Sequence, residues 1–343
     1  MNGTTDPAPL LDVSPQVRAD ADRRVTQELG VSVLAWSRMV GGTQNRLFRL
    51  ETLDGPPLLA KLYVGDRWPR LESEFATLRA LNAQHLARVP RALLRDDGLS
   101  YAVYSFEPGE MRPAAELTRR DVEAIAAFTA DLLRFGPQDL AGELAPAVDA
   151  SFSPTGHRRV IHARLAGVET NVEAPQLSGV RAQVDELLRG LVDEAVEPLP
   201  RESWRLTTGD FGPNNMLFAL DGQLTVVDFE AAGWDDPAHA VMSFVAHAAS
   251  EDLPPVLSTL FLGEFAELAH LSAADTARYE RVGRLMDLEW VAIYASALSA
   301  DNIANKQSAV QGFSRTAYVA GVIDKLERRL SRAVRGGGYR FPG

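Results

Sequence analysis

The sequence predicts an α+β protein with two lobes, a small one built on a five-stranded antiparallel β-sheet and a larger one that is mainly helical. Three observations support this prediction. Between residues 31 and 106, short apolar and β-branched runs alternate with turn residues, as is typical of antiparallel strands. The sequence Glu107-Pro108-Gly109 then suits neither a strand nor the start of a helix. From residue 118 onward, apolar residues recur at helical spacing.

The first lobe is predicted from its start, stop and turn signals. Residues 1–30 are expected to be a mobile N-terminal segment followed by a helix, which Ser14-Pro15 begins and Gly30 ends. The β-rich lobe is expected over residues 31–107. Its strands are predicted at 31–40, 46–53, 57–64, 89–94 and 99–106, with a helix at 70–81 between the third strand and the fourth.

The larger lobe is expected over residues 108–333, and the glycine-rich residues 334–343 are predicted to be a flexible tail. Residues 118–135 carry a clear core-facing apolar stripe at helical spacing. Residues 136–160 are rich in proline and glycine and show no regular period. Further helices are predicted at 160–168, 180–196, 238–250, 254–270, 273–299 and 305–333.

Residues 206–241 place acidic and amide side chains at spacings that suit metal-assisted phosphoryl transfer. Asp210 is followed by Asn215, and Asp228 comes at the end of an apolar run. Because Asp221-Gly222 is a strong two-residue turn signal, a hairpin is expected to bring Asn215 and Asp228 toward one end. Mg²⁺ prefers such oxygen ligands beside phosphate oxygens. The alternative is that Asp210 and Asn215 only cap turns and that Asp228 ends a strand.

The pattern G-D-x-x-x-x-N, a hairpin, then D-F-E and D-P resembles the catalytic segment of aminoglycoside phosphotransferases and choline kinases. These are small-molecule kinases with a protein-kinase-like fold. The resemblance implies that Asp210 orients or deprotonates an acceptor hydroxyl and that Asn215 and Asp228 hold Mg²⁺. ATP, with GTP as the alternative, is the implied phosphoryl donor. The implied acceptor is a small molecule such as an aminoglycoside, an amino alcohol or a sugar.

The first lobe contains a strand lysine and a helix glutamate that fit the same resemblance. Lys61 is the single cation in the apolar strand LLAKLYV, and Glu74 follows on the predicted helix. The resemblance implies that Lys61 contacts the α and β phosphates and that Glu74 holds it, with Glu72 as the alternative glutamate. A surface lysine and a solvated helix face would be the interpretation if residues 206–241 were absent.

Two backbone segments of this lobe are further candidates for the nucleotide. Gly41 and Gly42 have no Cβ, so their turn could let N–H groups approach a phosphate, although an ordinary hairpin turn is the alternative. The main chain from Ser105 to Glu107 is the linker that the resemblance implies to bind adenine.

Three positions of the catalytic segment need separate mention. The family's usual histidine before the loop aspartate is Thr208 here, and Ala240 stands at the last position of D-P-x-x-D. The two changes are interpreted as one altered brace of the catalytic loop. Glu230 resembles the choline kinase form of the segment and is expected either to support the metal or the hydroxyl or to face solvent. A nucleotide-binding pseudokinase or regulatory module without transfer is the alternative function.

Composition limits the other function classes. The 343 residues carry a formal net charge of −11, which argues against a nucleic-acid partner and suits a cationic substrate. No apolar run approaches the roughly 20 residues of a membrane span, and the first residues lack the features of a signal peptide. The chain has no cysteine, which fits a reducing compartment. A cytoplasmic monomer or homodimer that acts on a small molecule is therefore expected.

The histidines and aromatic residues give weaker signals. The six histidines show no paired zinc-binding spacing, and His239 and His247 are predicted to lie on helix faces. Trp234, Trp290 and Tyr294 either pack in the core or line a pocket that favours a cationic amine.

Overall fold

The computed structural model describes residues 13–39, 45–63, 69–166, 177, 179–309, 313–336 and 339–342. The chain divides into two compact units. The sheet unit is Met1–Pro108 together with Thr225–Glu230, and the helical unit is Gly109–Leu224 together with Ala231–Gly343. The segment that ends in Asp228-Phe229-Glu230 thus belongs to the sheet unit, although the sequence on both sides of it belongs to the helical unit. Within the described ranges, every helix is too short or too polar to cross a membrane.

The sheet unit begins with helix α1 (Pro15–Arg24), which continues as a π-helical turn over Val25–Leu29. Both predicted signals are confirmed. The hydroxyl of Ser14 accepts a hydrogen bond from the N–H of Val17 at 3.2 Å. Gly30 ends the helix with a φ of 73°, a left-handed conformation that glycine adopts without a Cβ clash.

The strands of this unit are β1 (Val33–Arg38), β2 (Asn45–Thr52), β3 (Leu58–Tyr63), β4 (Ala92–Asp96) and β5 (Tyr101–Ser105), and helix α2 (Arg70–Ala83) lies between β3 and β4 in the chain. They form one five-stranded antiparallel sheet, as predicted, and its strand order is β1-β2-β3-β5-β4. The register sets Lys61 on the central strand β3, between Leu47 of β2 and Ala102 of β5. Lys61 therefore has a strand on both sides.

The helical unit contains α3 (Arg119–Leu132), α4 (Pro154–Leu165), α5 (Val180–Leu191), α6 (Pro237–Ala246), α7 (Pro255–Leu268), α8 (Ala273–Ala297), α9 (Ala300–Ala309) and α10 (Arg315–Val334). A five-stranded antiparallel sheet followed by a mostly helical unit confirms the predicted fold class. The long helix α8 lies in the core, where Leu288 and Val291 are fully buried and share an apolar cluster with residues of α4, α5 and α10. Helix α3 starts with a capping box between Thr118 and Asp121.

Several helix boundaries differ from the prediction, among them the end of the helix predicted at 180–196, which is Leu191, and two that involve serine caps. A single helix over 305–333 is wrong, because α9 ends at Ala309 and α10 begins at Arg315, where the Ser314 hydroxyl accepts a hydrogen bond from Ala317 N. The helix expected at 160–168 already begins at Pro154, where Ser153 caps it. In both cases a serine cap sets the boundary, and apolar periodicity alone does not show it.

Four short strands lie between residues 205 and 235: β6 (Arg205–Thr207), β7 (Met216–Phe218), β8 (Leu224–Val226) and β9 (Gly233–Asp235). The predicted turn after β7 is confirmed, since Ala219 N donates to Gln223 O at 2.9 Å and Gly222 has a φ of 85°. The antiparallel pair of β6 and β9 was not predicted. Its strands are three residues long, too short for a pattern of alternation to appear.

Residues 339–342 pack against the helical unit instead of forming the loose tail predicted from the glycines. Tyr339 and Phe341 are buried, and Phe341 N donates to the carboxylate of Glu280 at 3.0 Å. The hydroxyl of Tyr339 also donates to Asp287 at 3.1 Å. Two aromatic side chains are enough to anchor the segment.

Candidate active site

The ammonium group of Lys61 lies at the centre of a charged cluster in the sheet unit. Lys61 is buried on β3, and its Nζ lies 2.7 Å from Oε2 of Glu74 on α2. The alternative glutamate, Glu72, is exposed on the same helix. Burial by itself would lower the pKa of Lys61, but the carboxylates of Glu74, Asp228 and Glu230 outweigh burial and raise it. Lys61 is therefore a fixed positive charge.

Two tyrosines that the sequence analysis did not single out hold Glu74 in place. The hydroxyl of Tyr63 lies 2.6 Å from Oε2 of Glu74 and 2.8 Å from the hydroxyl of Tyr104. The other carboxylate oxygen of Glu74 accepts a hydrogen bond from Phe229 N at 3.3 Å. Tyr63 follows Lys61 by two residues, so strand alternation places both side chains on one face of the sheet. That spacing was the signal available in the sequence.

Asp228 and Glu230 complete this cluster. Asp228 Oδ1 lies 2.6 Å from Nζ of Lys61, and Glu230 Oε2 lies 3.6 Å from the same nitrogen. Glu230 also accepts a hydrogen bond from Asn45 and lies 3.8 Å from the guanidinium of Arg70. Glu230 therefore faces the cluster and not bulk solvent. Carboxylate oxygens of Glu74, Asp228 and Glu230 lie within 4.8 Å of one another, close enough to share a cation.

The backbone of Asp228 is strained, since this non-glycine residue has a φ of 67°. Left-handed backbone is uncommon for such residues and tends to occur at functional sites. The side chain of Asp228 is 36% exposed, whereas that of Lys61 is 6% exposed. The carboxylate of Asp228 therefore lies at the solvent edge of the cluster, and the ammonium group of Lys61 lies deeper.

Of the two backbone segments predicted to bind the nucleotide, the structure describes only the linker at residues 105–107. Gly41 and Gly42 lie outside the described residues. At the linker, Ser105 N donates to Arg91 O, and its hydroxyl contacts both Arg91 N and the carboxylate of Glu107. The N–H of Ser105 is thus already used inside the sheet unit. Within residues 105–107, the other backbone groups remain candidates for hydrogen bonding to a nucleotide base.

The loop of the helical unit that follows β6 brings Asp210 and Asn215 together. Nδ2 of Asn215 donates to the backbone oxygen of Asp210 at 3.0 Å and lies 3.2 Å from Oδ2 of the same residue. The loop also needs glycine at position 209, where φ is 73° and an added Cβ would lie 2.1 Å from Ala231 O. Asn215 is buried, while the side chain of Asp210 is 48% exposed. The loop therefore fixes a carboxylate that remains open to solvent.

His247 contacts the other oxygen of that carboxylate. Its Nε2 lies 2.8 Å from Oδ1 of Asp210. Burial would raise the pKa of Asp210, but the hydrogen bonds from His247 and Asn215 lower it. The predicted placement of His247 on a helix face is wrong, because it lies at the C-terminal cap of α6. No local sequence signal links residues 37 positions apart.

Thr208 and Ala240, the two departures from the family pattern, line one small internal cavity of about 20 Å³ together with Thr129, Asp235 and His239. They are therefore neighbours, as expected of one altered brace. Within the described part of the chain, the buried hydroxyl oxygen of Thr208 has no hydrogen-bond partner. A cavity of this size has room for one water molecule.

A second cluster of buried charges lies beside this cavity. His239 Nδ1 lies 2.5 Å from Oδ2 of Asp235, and its Nε2 lies 3.3 Å from Oε2 of Glu289. Glu289 Oε1 lies 2.6 Å from Nδ1 of His157. Burial opposes the charge on His239, yet Asp235 and Glu289 raise its pKa well above the ordinary value. Burial opposes the charge on Glu289 too, yet His157 and His239 lower its pKa to about 2.

Of the three aromatic residues named from the sequence, two pack in the core and one packs against His247. Trp234 and Tyr294 are buried in the helical unit, as core packing requires. Trp290 is partly buried and packs edge-on against the ring of His247, with 5.0 Å between the ring centroids. Trp290 thus contacts the histidine that lies against Asp210.

Comparison with solved structures gives the same fold. The chain is similar to choline kinase LicA from Streptococcus pneumoniae, with 16% identity, a TM-score of 0.62, and coverage of 92% of this chain and 99% of that one. It is similar to spectinomycin phosphotransferase in complex with ADP and spectinomycin, with 13% identity, a TM-score of 0.64 and coverage of 93% and 98%. It is also similar to the GDP and kanamycin complex of APH(2″)-IIIa, with 15% identity, a TM-score of 0.60 and coverage of 91% and 99%. Identities this low show the fold alone.

Comparison with protein families is more specific. No curated protein matches the sequence significantly. The sequence profile described as the phosphotransferase enzyme family matches residues 35–280, which is most of the chain and spans both Lys61 and Asp210. This chain belongs to the phosphotransferase enzyme family.

Proposed function

We propose that this protein is an ATP-dependent, magnesium-assisted O-phosphotransferase that acts on a hydroxyl group of a small molecule. The observation that carries the proposal is the buried Lys61, which lies 2.7 Å from Glu74 and 2.6 Å from Asp228. A buried cation held by carboxylates from a helix and from a strained segment is the arrangement that kinases use for the phosphates. Membership of a phosphotransferase family supports the same conclusion.

Lys61 is the proposed phosphate-binding residue. Its pKa is raised by the surrounding carboxylates, so it keeps its positive charge at every physiological pH. Glu74 orients it and is itself held at both oxygens. Asp228 is the partner that Lys61 would exchange for phosphate oxygens, because its contact lies at the solvent edge of the cluster.

The proposed Mg²⁺ ligands are Asn215 and Asp228, with Glu230 as support. The donor set fits this metal, since Mg²⁺ is bound by hard oxygen ligands and the side chains offered are carboxylates and an amide. Among the described residues, the carboxylates of Glu74, Asp228 and Glu230 lie around the ammonium group of Lys61, and Arg70 lies 3.8 Å from Glu230. A bound Mg²⁺ would neutralise charge on the phosphates as the phosphoryl group moves.

Asp210 is the proposed catalytic residue. Its lowered pKa keeps it ionised, so it can accept a hydrogen bond from the acceptor hydroxyl and orient the oxygen toward phosphorus. As the new oxygen–phosphorus bond forms and the bond to the nucleotide oxygen breaks, the hydroxyl proton passes to the carboxylate of Asp210. Because its side chain is 48% exposed, Asp210 can then release the proton to solvent.

Neighbouring structures support the choice of nucleotide and of acceptor class. Spectinomycin phosphotransferase was solved with ADP, and APH(2″)-IIIa with GDP, so ATP is proposed as the donor with GTP as the alternative. Spectinomycin, kanamycin and choline are the compounds that these neighbours bind or are named for. Cationic acceptors of this kind suit a chain with a formal net charge of −11. The cytoplasmic location, and the monomeric or homodimeric state without nucleic acid, stay predictions.

The decisive experiment is a turnover screen. Purified protein is incubated with Mg·ATP or Mg·GTP and a set of hydroxylated compounds that includes choline, spectinomycin and kanamycin, and release of the nucleoside diphosphate is followed. Stimulation by one compound class supports phosphoryl transfer. Nucleotide binding without turnover by any compound would instead favour the pseudokinase or regulatory alternative.

The role of Asp210 has its own test. Asp210→Asn should leave nucleotide affinity within about threefold and reduce transfer by a factor on the order of 1,000, because the amide no longer accepts the hydroxyl proton. Affinity is measured by calorimetry and transfer by diphosphate release. An equal loss of binding and of turnover would contradict the assigned role.

A further inference from the structure

We propose that His247 is a positioning residue for Asp210, which it holds in the orientation that receives the acceptor hydroxyl. This inference rests on the proposed function, since it assigns His247 a part in the same transfer. The starting observation is the 2.8 Å contact between Nε2 of His247 and Oδ1 of Asp210. Both residues belong to the helical unit.

The backbone determines which ring nitrogen of His247 carries the proton. Ala249 N donates a hydrogen bond to Nδ1 of His247 at 3.0 Å, so Nδ1 acts as an acceptor. In the neutral ring the proton is then on Nε2, the nitrogen that faces Asp210. His247 therefore donates to the carboxylate through Nε2, because the backbone N–H of Ala249 occupies Nδ1.

The position of the ring is fixed from three sides. Trp290 packs edge-on against it, with an angle of 88° between the ring planes. Gly212 lies so close that an added Cβ would be 2.2 Å from Nδ1 of His247. The backbone N–H of Ala249 holds the third side. With the side chain of His247 only 8% exposed, the Nε2–H group points at a defined place in the catalytic loop.

His247 and Asn215 together fix the plane of the Asp210 carboxylate. His247 engages Oδ1, while Nδ2 of Asn215 lies 3.2 Å from Oδ2. Two donors at fixed points stop the carboxylate from rotating about its terminal torsion, which is otherwise broad and soft. Each oxygen keeps a lone pair for the acceptor hydroxyl. Catalysis by alignment depends on this kind of restraint, since misplacement by about 1 Å can reduce a rate about 100-fold.

The same unit contains a histidine–aspartate pair that serves as a control. His162 Nε2 lies 2.8 Å from Oδ1 of Asp185, the same separation as in the proposed pair. Both partners are more than a third exposed, so this contact is an ordinary surface pair of little energetic value. A replacement of His162 therefore controls for the loss of a histidine–carboxylate contact as such.

Two substitutions separate positioning of Asp210 from a structural role of the ring. His247→Asn keeps a polar group near Nδ1 that can still accept from Ala249 N, but it is too short to reach Asp210. His247→Gln extends an amide N–H to the place of Nε2 and loses the acceptor for Ala249. A purely structural role predicts that Asn is the better substitute, whereas positioning predicts that Gln is.

Turnover is followed as ADP release from Mg·ATP with choline, spectinomycin or kanamycin, whichever stimulates the wild type most, and with water as acceptor if none does. His247→Asn should lower kcat about 10- to 100-fold with the KM for ATP unchanged, and His247→Gln should restore most of it. His162→Asn should change neither constant. Equal kcat in wild type and His247→Asn, while Asp210→Asn is inactive, would overturn the inference and leave the proposed function standing.

A spectroscopic measurement tests the contact without any turnover. In imidazole ¹H–¹⁵N spectra of the wild type, His247 should show the Nε2–H tautomer, with a proton that is protected from exchange by Asp210. In Asp210→Ala that protection should be lost. A ring with its proton on Nδ1, or equal exchange in both proteins, would overturn the inference even if no acceptor is found.

Discussion

Two clusters of buried charge in this protein are built from similar residues but differ in how they meet solvent. The Lys61 cluster of the sheet unit consists of Lys61, Glu74, Asp228, Glu230 and Arg70. The His239 cluster of the helical unit consists of Asp235, His239, Glu289 and His157. The first is open at one side, with Asp228 36% exposed, whereas every side chain of the second is at most 10% exposed.

The two clusters also differ in what pairs with their carboxylates. Among the described residues, Glu74, Asp228 and Glu230 lie around Lys61 and Arg70, while Asp235 and Glu289 lie against His239 and His157. A closed set of paired charges is suited to holding structure, because its side chains are shielded from solvent. The Lys61 cluster is open to solvent and includes Asp228, whose backbone is strained. Such a cluster can exchange its partners, as a phosphate-binding and metal-binding site must. Buried charge by itself therefore does not indicate function.

The largest expected effect would come from breaking the closed cluster. Glu289→Gln should lower the free energy of unfolding by about 3–5 kcal/mol, because it leaves two buried histidines without their shared carboxylate. Urea denaturation measures the change. The control is Glu194→Gln, which removes the exposed partner of Arg158 and should cost less than about 1 kcal/mol. Equal stability of wild type and Glu289→Gln would contradict the structural role of this carboxylate.

The open cluster should respond in function and not in stability. Asp228→Asn should reduce phosphoryl transfer by a factor on the order of 100 to 1,000 and remove the Mg²⁺ dependence of nucleotide binding. The thermal midpoint should change little, because Lys61 keeps its contact with Glu74. Calorimetry with and without Mg²⁺ measures the binding. Glu72→Gln, on the exposed face of the same unit, is the control and should leave Mg²⁺ dependence intact.

The stability contributed by the His239 cluster should depend on pH. The pKa of Glu289 is lowered from 4.5 to about 2, so its contribution is complete above pH 4.5 and is lost as the pH falls toward 2. His239 has a raised pKa, so its contribution is complete below its ordinary value of 6.5 and is lost only as the pH rises through the raised value. Arg164 is the other charge near Glu289. The stability difference between wild type and Glu289→Gln should therefore be largest between pH 4.5 and 6.5.

Urea titrations at several pH values test this dependence. The difference between the two proteins should shrink by roughly 3 kcal/mol as the pH falls from 4.5 to 2, which is what a shift of this size is worth. A difference that stays constant over that range would show that Glu289 titrates normally in the folded protein.

The smallest expected effect concerns the cavity beside the closed cluster. Thr208→Val removes a buried hydroxyl that lacks a partner in the described structure and should stabilise the protein by about 1 kcal/mol. Thr129 lines the same cavity, but its hydroxyl donates to Ile125 O at 2.8 Å, so Thr129→Val should have the opposite sign. Both are measured by urea denaturation. Destabilisation by Thr208→Val would indicate a water molecule bound in the cavity.

Much of the fold and the identity of the candidate residues could be predicted from the sequence, because the signals are local. Ser14 begins a helix by its own hydrogen bond, Gly30 ends it by its backbone angles, and Asp221-Gly222 turns the chain locally. The strand that carries Lys61 and the loop that carries Asp210 were recognisable for the same reason. The errors include two helix starts at serine caps and two aromatic anchors near the C-terminus, where one residue overrides a pattern.

Which of these groups come into contact depends on the tertiary structure. Phe229 N reaches Glu74 across 155 positions, and His247 reaches Asp210 across 37. Such contacts depend on strand register and on the packing of side chains, which composition and spacing do not encode at long range. The sequence by itself determined the chemical groups and their order along the chain. The folded structure determined that the carboxylate of Asp210 is held by a histidine instead of standing alone.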